Sequence, residues 1–354
     1  EELARSAGRE DIEVDTSNLP SVHEGPSGYF SSIIGTLRKF VKSESGSGLN
    51  VYLRSEIPMG SGMGSSGALE VAFLALLNGA FSLGLNTRDI AEYAYFSENT
   101  IMGIPCGRLD QYSSAYGRVI VLRQRPTVNV DYLDLPDLDF VIIDSGERHK
   151  TESIHTARQS EINEGLEILS DSSAVPKGLR SRLGRSCQET DWESVKWEEV
   201  SRYLFLLPKK SADRILFTFQ MNSSTSLALS AIRGQKVDLA TASNILGRDR
   251  ASALSNDRWP VKETLGEIMN VQHELLRDLY AVSTPLLETI RDSVLYLGGA
   301  IGVKISGAGM GGSLVALAND REAGERVIRE AKDAGAADAW LVKQDIGCWF
   351  KGAQ

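Results

Sequence analysis

The sequence predicts an α+β fold built as two lobes, on two observations. At 354 residues the chain exceeds the roughly 250–300 at which a single core stops growing. Its patterns run β-rich, then helical, then strand, glycine loop, strand, helix, strand, an order of segregated elements rather than strict alternation. The division falls near 145–150, so the expected lobes are 1–148 and 149–354.

The elements follow in order. A strand-like run, Ile12-Glu13-Val14, stands near a loop of Ser, Pro, His and Gly at 17–28. Tyr29 to Lys42 has helical periodicity, with Phe30, Ile33, Ile34, Leu37, Phe40 and Val41 on one stripe. Leu49 to Ser55 alternates as a strand until Pro58 and a glycine cluster break it. Ala68 to Phe81 reads as a helix, and Asn86-Thr87 caps another that runs to about Asn99. Val119 to Asp144 is β-rich, with 119–122 and 140–143 as its strands. From Lys150 to Leu295 the pattern is helical, over Ser153–Leu169, Trp192–Leu207, Asp213–Arg233 and Val261–Leu279. Gly302 to Lys343 closes the chain with the strand, glycine loop, strand, helix and strand.

Composition narrows the function classes. Hydrophobic residues at 42% with 24% charged suit a soluble globular protein. A net charge of −9 argues against a nucleic-acid partner, which would call for a basic face. Cys106, Cys187 and Cys348 have no metal-ligand spacing, and their odd number fits a reducing cytoplasm. The start, Glu1-Glu2-Leu3-Ala4-Arg5, is not that of a signal peptide. The longest apolar stretch, Ala68 to Leu85, contains Glu70 and Asn78 and reads as a buried helix, not a membrane span.

The strongest local chemistry lies in Pro58-Met59-Gly60-Ser61-Gly62-Met63-Gly64-Ser65-Ser66-Gly67-Ala68. Alternating glycines let the backbone approach a ligand. The helix that comes next offers unpaired N–H groups and the positive end of its dipole, which suits phosphate, and Ser65 and Ser66 add hydroxyls for phosphate or magnesium. No Gly-Lys-Ser/Thr is present after the glycines, so this is no Walker A loop, and the glycine spacing is not a Rossmann fingerprint. Read alone, the segment also fits a flexible turn with a serine-capped helix.

Two carboxylates flank a structured turn at Gly103, Pro105 and Gly107: Glu98 before it and Asp110 after it. Phosphoryl transfer needs one carboxylate to orient or deprotonate the acceptor hydroxyl and another to hold the metal. Alternatively, Glu98 is surface charge and Asp110 caps a helix starting at Gln111. Later, Lys304-Ile305-Ser306-Gly307-Ala308-Gly309-Met310-Gly311-Gly312-Ser313 joins two strand-like runs, with glycines dense enough for close backbone approach to a ligand or to the first loop.

These segments resemble the GHMP kinases. The 58–68 segment is similar to their Pro-x-Gly-x-Gly-Leu-Gly/Ser-Ser-Ser-Ala motif, with Met63 for leucine and Gly67 for the first alanine. The resemblance is closest to the galactokinase branch: Gly103 to Tyr112 matches Gly-x-Pro-Cys-Gly-x-Met-Asp-Gln-Phe/Tyr except at Leu109, and Met269 to Pro285 matches Met-Asn-x-x-His-x-x-Leu-Arg-Asp-x-x-x-Val-Ser-x-Pro. It implies a two-lobed fold, with a ribosomal protein S5 domain 2-like N-terminal lobe and a ferredoxin-like C-terminal lobe. It further implies ATP and Mg²⁺, with Gly60, Ser61, Gly62, Met63, Gly64, Ser65 and Ser66 around the phosphates and Ser66 and Glu98 as magnesium ligands. Asp110 becomes the catalytic base, Gly107 lies along the sugar, and the loop holding Gly309 supports the active site on the substrate side. Arg158 matches the arginine of a family Tyr-x-x-Arg pair set against the sugar, and His155 stands where the tyrosine is expected. No chemistry is assigned to the 269–285 run, and Cys106 is read as structural.

The family also begins with a strand bearing a catalytic arginine and a Gly-Glu-His-x-Asp-Tyr-like segment, neither of which is present; Ser6 to Leu19 aligns with the family's next strand region. The resemblance therefore leaves out roughly the first fifty residues of a family member, and a late-starting sequence explains this better than a deleted central strand, which would leave a raw edge. The expected activity is phosphorylation of a sugar hydroxyl, first the anomeric C1 hydroxyl of galactose, with other sugars left open by His155. A kinase of a non-sugar alcohol such as mevalonate, and a non-catalytic sugar and ATP sensor on the same fold, are the competing readings.

Overall fold

The computed structural model describes residues 14–15, 19, 25–41, 48–125, 127–135, 138–148, 151–254 and 259–352. The chain forms two compact units, one of Glu1–Pro58, Gly64–Leu133 and Gln344–Gln354, the other of Met59–Met63 and Asp134–Lys343. The division expected at 148/149 thus lies elsewhere. The strand at Phe140–Asp144 hydrogen-bonds to strands near the C-terminus, which carries everything from Asp134 into the second unit. The last residues belong to the first unit, where Arg118 N–H donates to Asp345 O at 2.6 Å and Cys348 N–H to Ala115 O at 3.2 Å.

The first unit is built from α1 (Gly25–Phe40), α2 (Ser65–Phe81), α3 (Thr87–Phe96), α4 (Leu109–Tyr116) and an antiparallel hairpin of β1 (Ile120–Arg123) and β2 (Asn129–Tyr132). α2 is apolar nearly all round, as a helix enclosed by its neighbours must be, and it buries Val71, Leu74 and Leu77 with Ile33 of α1, Ala91 and Ala94 of α3, and Tyr112 of α4. Asn86 caps α3 with the reciprocal bonds expected: Asp89 N–H donates to its side chain and Asp89 accepts from its N–H, both at 3.0 Å. Past Phe96 the helix loosens into a π-type turn, Ser97–Ile101. Leu49 to Ser55, expected as a strand, has no ladder partner among the described residues; Val51, Tyr52 and Leu53 are exposed. Alternation supplies a face, and a strand also needs a neighbour for its N–H and C=O groups. Ile12 and Glu13 of the earlier strand-like run lie outside the described residues.

The second unit carries β3 (Phe140–Asp144), β4 (Ala300–Ser306), β5 (Ser313–Ala318) and β6 (Asp338–Val342) in one antiparallel sheet of order β4-β5-β3-β6. The helical stretch joins β3 to β4, a glycine loop joins β4 to β5, and α13 (Arg321–Asp333) joins β5 to β6. β3 is thereby flanked by the two strands that a helix connects, which is the ferredoxin-like order expected. The main helices between β3 and β4 are α5 (Thr151–Asp171), α6 (Lys177–Leu183), α7 (Trp197–Val200), α8 (Lys209–Ile232), α9 (Leu239–Leu246), α10 (Arg248–Leu254), α11 (Val261–Asp278) and α12 (Pro285–Ser293). The helix expected over Trp192–Leu207 is broken into α7 and a 3₁₀ turn, Ser201–Leu206. Glu199 fixes the late start by accepting from Lys196 N–H at 3.2 Å and by pairing with Arg182 at 2.6 Å. The sheet core gathers Val141, Ile143, Leu287, Ile290, Val303 and Leu314. α11 lies hard against β4, because a Cβ at Gly302 would stand 2.4 Å from Gly266 O. Beside that contact Asn270 donates to Ile301 O and accepts from Val303 N–H, each at 3.1 Å, serving the strand where its register shifts between Ala300 and Gly302.

Candidate active site

In the first unit, Gly64 caps α2 in the left-handed region, φ 66 and ψ 33, with no side-chain cap bond. That excludes the serine-capped alternative and leaves the first N–H groups, from Ser65 onward, unused by the helix and aimed where an anion would bind. A Cβ on Gly64 would lie 3.1 Å from Asp110 Cγ, and one on Gly67 3.1 Å from Asp110 Cβ. The start of α2 therefore rests directly on Asp110. Asp110 sits inside the first turn of α4, which begins at Leu109 with Arg108 in the cap position and no side-chain cap bond. It is not the cap of that helix, and its carboxylate is exposed.

Glu98 is buried, at 5% exposure, which excludes the surface-charge alternative. Burial pushes its pKa up, while hydrogen bonds from Ser66, Cys106 and Gln111 act against this and the charge of Asp110 adds to it. The Gln111 amide donates to Glu98 Oε2 at 2.5 Å. Burial, then the charge of Glu98, pushes the Cys106 thiol up to about 12, so it is a protonated donor and not a nucleophile. The Tyr29 hydroxyl, next to Ser66, is likewise pushed to about 12 by burial and then by Glu98. Behind Glu98 lies Glu70, fully buried on α2. Burial, followed by the charge of Glu98, raises its pKa to about 9, against a hydrogen bond from the Gln111 side chain. At neutral pH Glu70 is an uncharged acid whose own proton faces Glu98.

In the second unit, the remainder of the first glycine loop packs on the loop between β4 and β5. A Cβ on Gly307 would lie 2.7 Å from Gly62 Cα, one on Gly312 2.8 Å from Ser61 O, and the Ser306 hydroxyl donates to Gly62 O at 3.3 Å. Gly60, Gly62, Ser306, Gly309 and Gly312 line a small cleft there. Arg148 stands beside it, its Cδ 3.5 Å from where a Gly60 Cβ would be. Both of its terminal nitrogens donate to Asp144 at 2.6 Å. Burial opposes the Asp144 charge, and the Arg148 guanidinium outweighs it, holding the carboxyl below the usual range.

The family model for the GHMP kinases N terminal domain matches residues 30–118, and that for the GHMP kinases C terminal matches residues 261–337. The chain belongs to the GHMP kinase family. Among relatives, it is similar to the galactokinase of Thermococcus kodakarensis, 29% identical over 290 residues, 81% of this chain and 69% of that protein. The galactokinase of Thermotoga neapolitana is 26% identical over 311 residues, 86% of this chain and 75% of its own. Among solved structures, Lactococcus lactis galactokinase complexed with galactose aligns with a TM-score of 0.64 at 24% identity, over 92% of this chain and 76% of that one. A mevalonate kinase aligns at 0.58 and 17% identity, over 96% and 83%. At these identities the structural likenesses establish the fold.

Within this GHMP kinase, Ser65, Ser66, Glu98 and Asp110 gather around the start of α2, whereas Gly60, Ser61, Gly62 and Met63 belong to the second unit. Gly107 is exposed, and a Cβ there would meet nothing within 4 Å, so the protein itself does not demand glycine. Gly309 is demanded by Val282, whose carbonyl a Cβ would approach to 2.5 Å. Arg158 donates to Ala281 O at 2.9 Å and pairs with Glu161 at 3.2 Å, which gives it a structural task. The side chain of His155 lies outside the described residues, as do His149 and Lys150. Sequence reading missed Glu70, Gln111, Tyr29 and Arg148. Arg148 carried a signal, a basic residue just past a buried strand; Glu70 carried another, a lone acid inside an apolar helix.

Proposed function

We propose that this GHMP kinase transfers the γ-phosphoryl group of ATP to a sugar hydroxyl, first the anomeric C1 hydroxyl of galactose. The observation that carries the reading is the placing of Asp110 against Gly64 at the start of α2, beside the hydrogen-bonded Ser66 and Glu98. A phosphate at that helix end lies next to an exposed carboxylate, which is the arrangement a base for an attacking hydroxyl requires. Galactokinase relatives supply the substrate class.

Asp110 orients the acceptor hydroxyl and accepts its proton as the sugar oxygen bonds to the γ-phosphorus and the bond to the ADP oxygen breaks. The N–H groups of Ser65, Ser66 and Gly67 hold charge on the phosphate oxygens. Glu98 and Ser66 are a carboxylate and a hydroxyl, oxygen donors that fit magnesium, which commonly keeps waters and phosphate oxygens as its other ligands. Among the described residues no group of three or more His, Cys, Asp or Glu could hold a metal. Bound there, magnesium would screen the β- and γ-phosphate charge. Roles for Gly60 to Met63 on the phosphates, Gly107 and Gly309 beside the sugar, and His155 in choosing it rest on the family resemblance. A cytoplasmic place of action belongs to the same reading; among the described residues no helix is long and apolar enough to cross a membrane.

The test is ADP release by the full-length gene product with Mg·ATP across a sugar panel. Turnover with one sugar names the acceptor, and Asp110→Asn is expected to lower kcat by about 10²–10⁴-fold while ATP still binds. An Asp110→Asn enzyme with unchanged turnover removes Asp110 from the base role, and ATP binding without turnover on any sugar favours a sensor.

A further inference from the structure

The 269–285 run, to which the sequence alone assigns no chemistry, ends in a turn between α11 and α12 whose carbonyls at 279, 281 and 282 are all engaged. Leu279 O accepts from Arg214, Ala281 O from Arg158 at 2.9 Å, and Val282 O from Met310 N–H at 2.6 Å. Ala281 is held at φ 54 and Met310 at φ 56, a left-handed backbone that residues with a Cβ keep only when their surroundings over-determine it. Gly309, at φ +78, leaves the room that lets Val282 O reach Met310.

One carboxylate ties the turn together. Glu288, in the first turn of α12, accepts from Ser283 and from His273 Nε2 at 2.8 Å on one oxygen, and from Arg277 at 3.3 Å on the other. A second line runs from the same turn: the Thr284 hydroxyl donates to Glu147 at 2.6 Å, and Glu147 O accepts from Gly312 N–H at 3.0 Å. The glycine loop between β4 and β5 is thus gripped at two points, Met310 and Gly312, and it is this loop that Gly62 and Ser61 rest on.

We infer that Glu288 is a positioning residue, whose bonds to Ser283, His273 and Arg277 lock the 279–284 turn as a strut for the 307–312 glycine loop. The strut stands on the geometry alone; its bearing on catalysis rests on the proposed kinase reading, since a loop that supports Gly62 and Ser61 then acts on nucleotide binding. Glu288 touches no reacting atom.

Amide hydrogen exchange of the purified protein tests this directly. In Glu288→Ala the Met310 and Gly312 amides are expected to exchange roughly ten-fold faster or more, as a locally opened segment does, while β3 and β6 keep their protection. Val303→Ala, a core change in β4, serves as the control for general loosening and is expected to speed exchange across β4 and β5 instead. Should Glu288→Ala fail to fold, Ser283→Ala removes one donor to the same carboxylate and is expected to give the same pattern at smaller size. Exchange at Met310 and Gly312 within two-fold of the parent, or acceleration spread evenly over the sheet, overturns the strut. This readout needs no turnover, so it decides the strut even if the kinase reading fails. In an active enzyme, Glu288→Ala is further expected to raise KM for ATP by about ten-fold with kcat within about three-fold, and an unchanged KM would overturn the link to nucleotide binding.

Discussion

Glu70 shows how burial of a single carboxyl shapes the site around it. The folded protein keeps its proton to about pH 9, whereas the free group releases it near 4.5. Its contribution to stability is therefore whole below about 4.5 and is lost as the pH rises toward about 9. Glutamine has the same shape and the same neutrality. In EDTA, Glu70→Gln is expected to melt with the parent near pH 4.5 and progressively above it by several degrees toward pH 8, measured by calorimetry. A parallel pH profile would show that Glu70 is charged in the fold. The sequence displayed Glu70 as an acid in an apolar helix, but its meaning depended on which carboxylate the fold sets against it. Asp110 was more legible, because a motif fixes its neighbours in the chain. The contact with Gly64 comes from packing between α2 and α4, which no local pattern encodes.

At the scale of elements, the legible parts were those whose signals are local. The Asn86 cap, the helix α1 and the strand, loop, strand, helix, strand end all appear where periodicity and caps place them, within a few residues, although Phe40 of the expected α1 stripe is exposed. Trp192–Leu207 and Leu49–Ser55 do not, because their states are set by partners distant in sequence: an Arg182–Glu199 pair in one case, and in the other a ladder that the described residues do not supply. The seam of α11 on β4 is a similar non-local feature. Asn270→Ala would leave Ile301 O and Val303 N–H buried without their partner, and is expected to cost about 1–3 kcal/mol, read from denaturant unfolding. No loss in this variant would show that water replaces the side chain.

The whole chain is divided in a way no linear reading anticipates, since each unit is assembled from separate stretches. The expected boundary followed composition along the chain, whereas the observed one follows strand pairing, which recruits Phe140–Asp144 to the C-terminal sheet. The last residues, Gln344–Gln354, belong with the first unit. A chain ending at Lys343 is accordingly expected to lose amide protection at Arg118, whose N–H donates to Asp345 O, by about ten-fold or more. The β4–β5 amides should be unaffected, and loss of protection there instead would contradict the division.

The contact of Gly62 with Gly307, and of Ser61 with Gly312, is made of main chain on both sides. Where two side chains meet, a change in one can be answered by a change in the other, and a family drifts through such paired exchanges. Main chain pressed on main chain leaves nothing to exchange. An alanine at Gly62 has no matching shrinkage available at Gly307, so a search for second-site revertants of Gly62→Ala should return few solutions in the facing loop. An insertion of even one methyl group there must move the backbone of a whole loop, not a side chain.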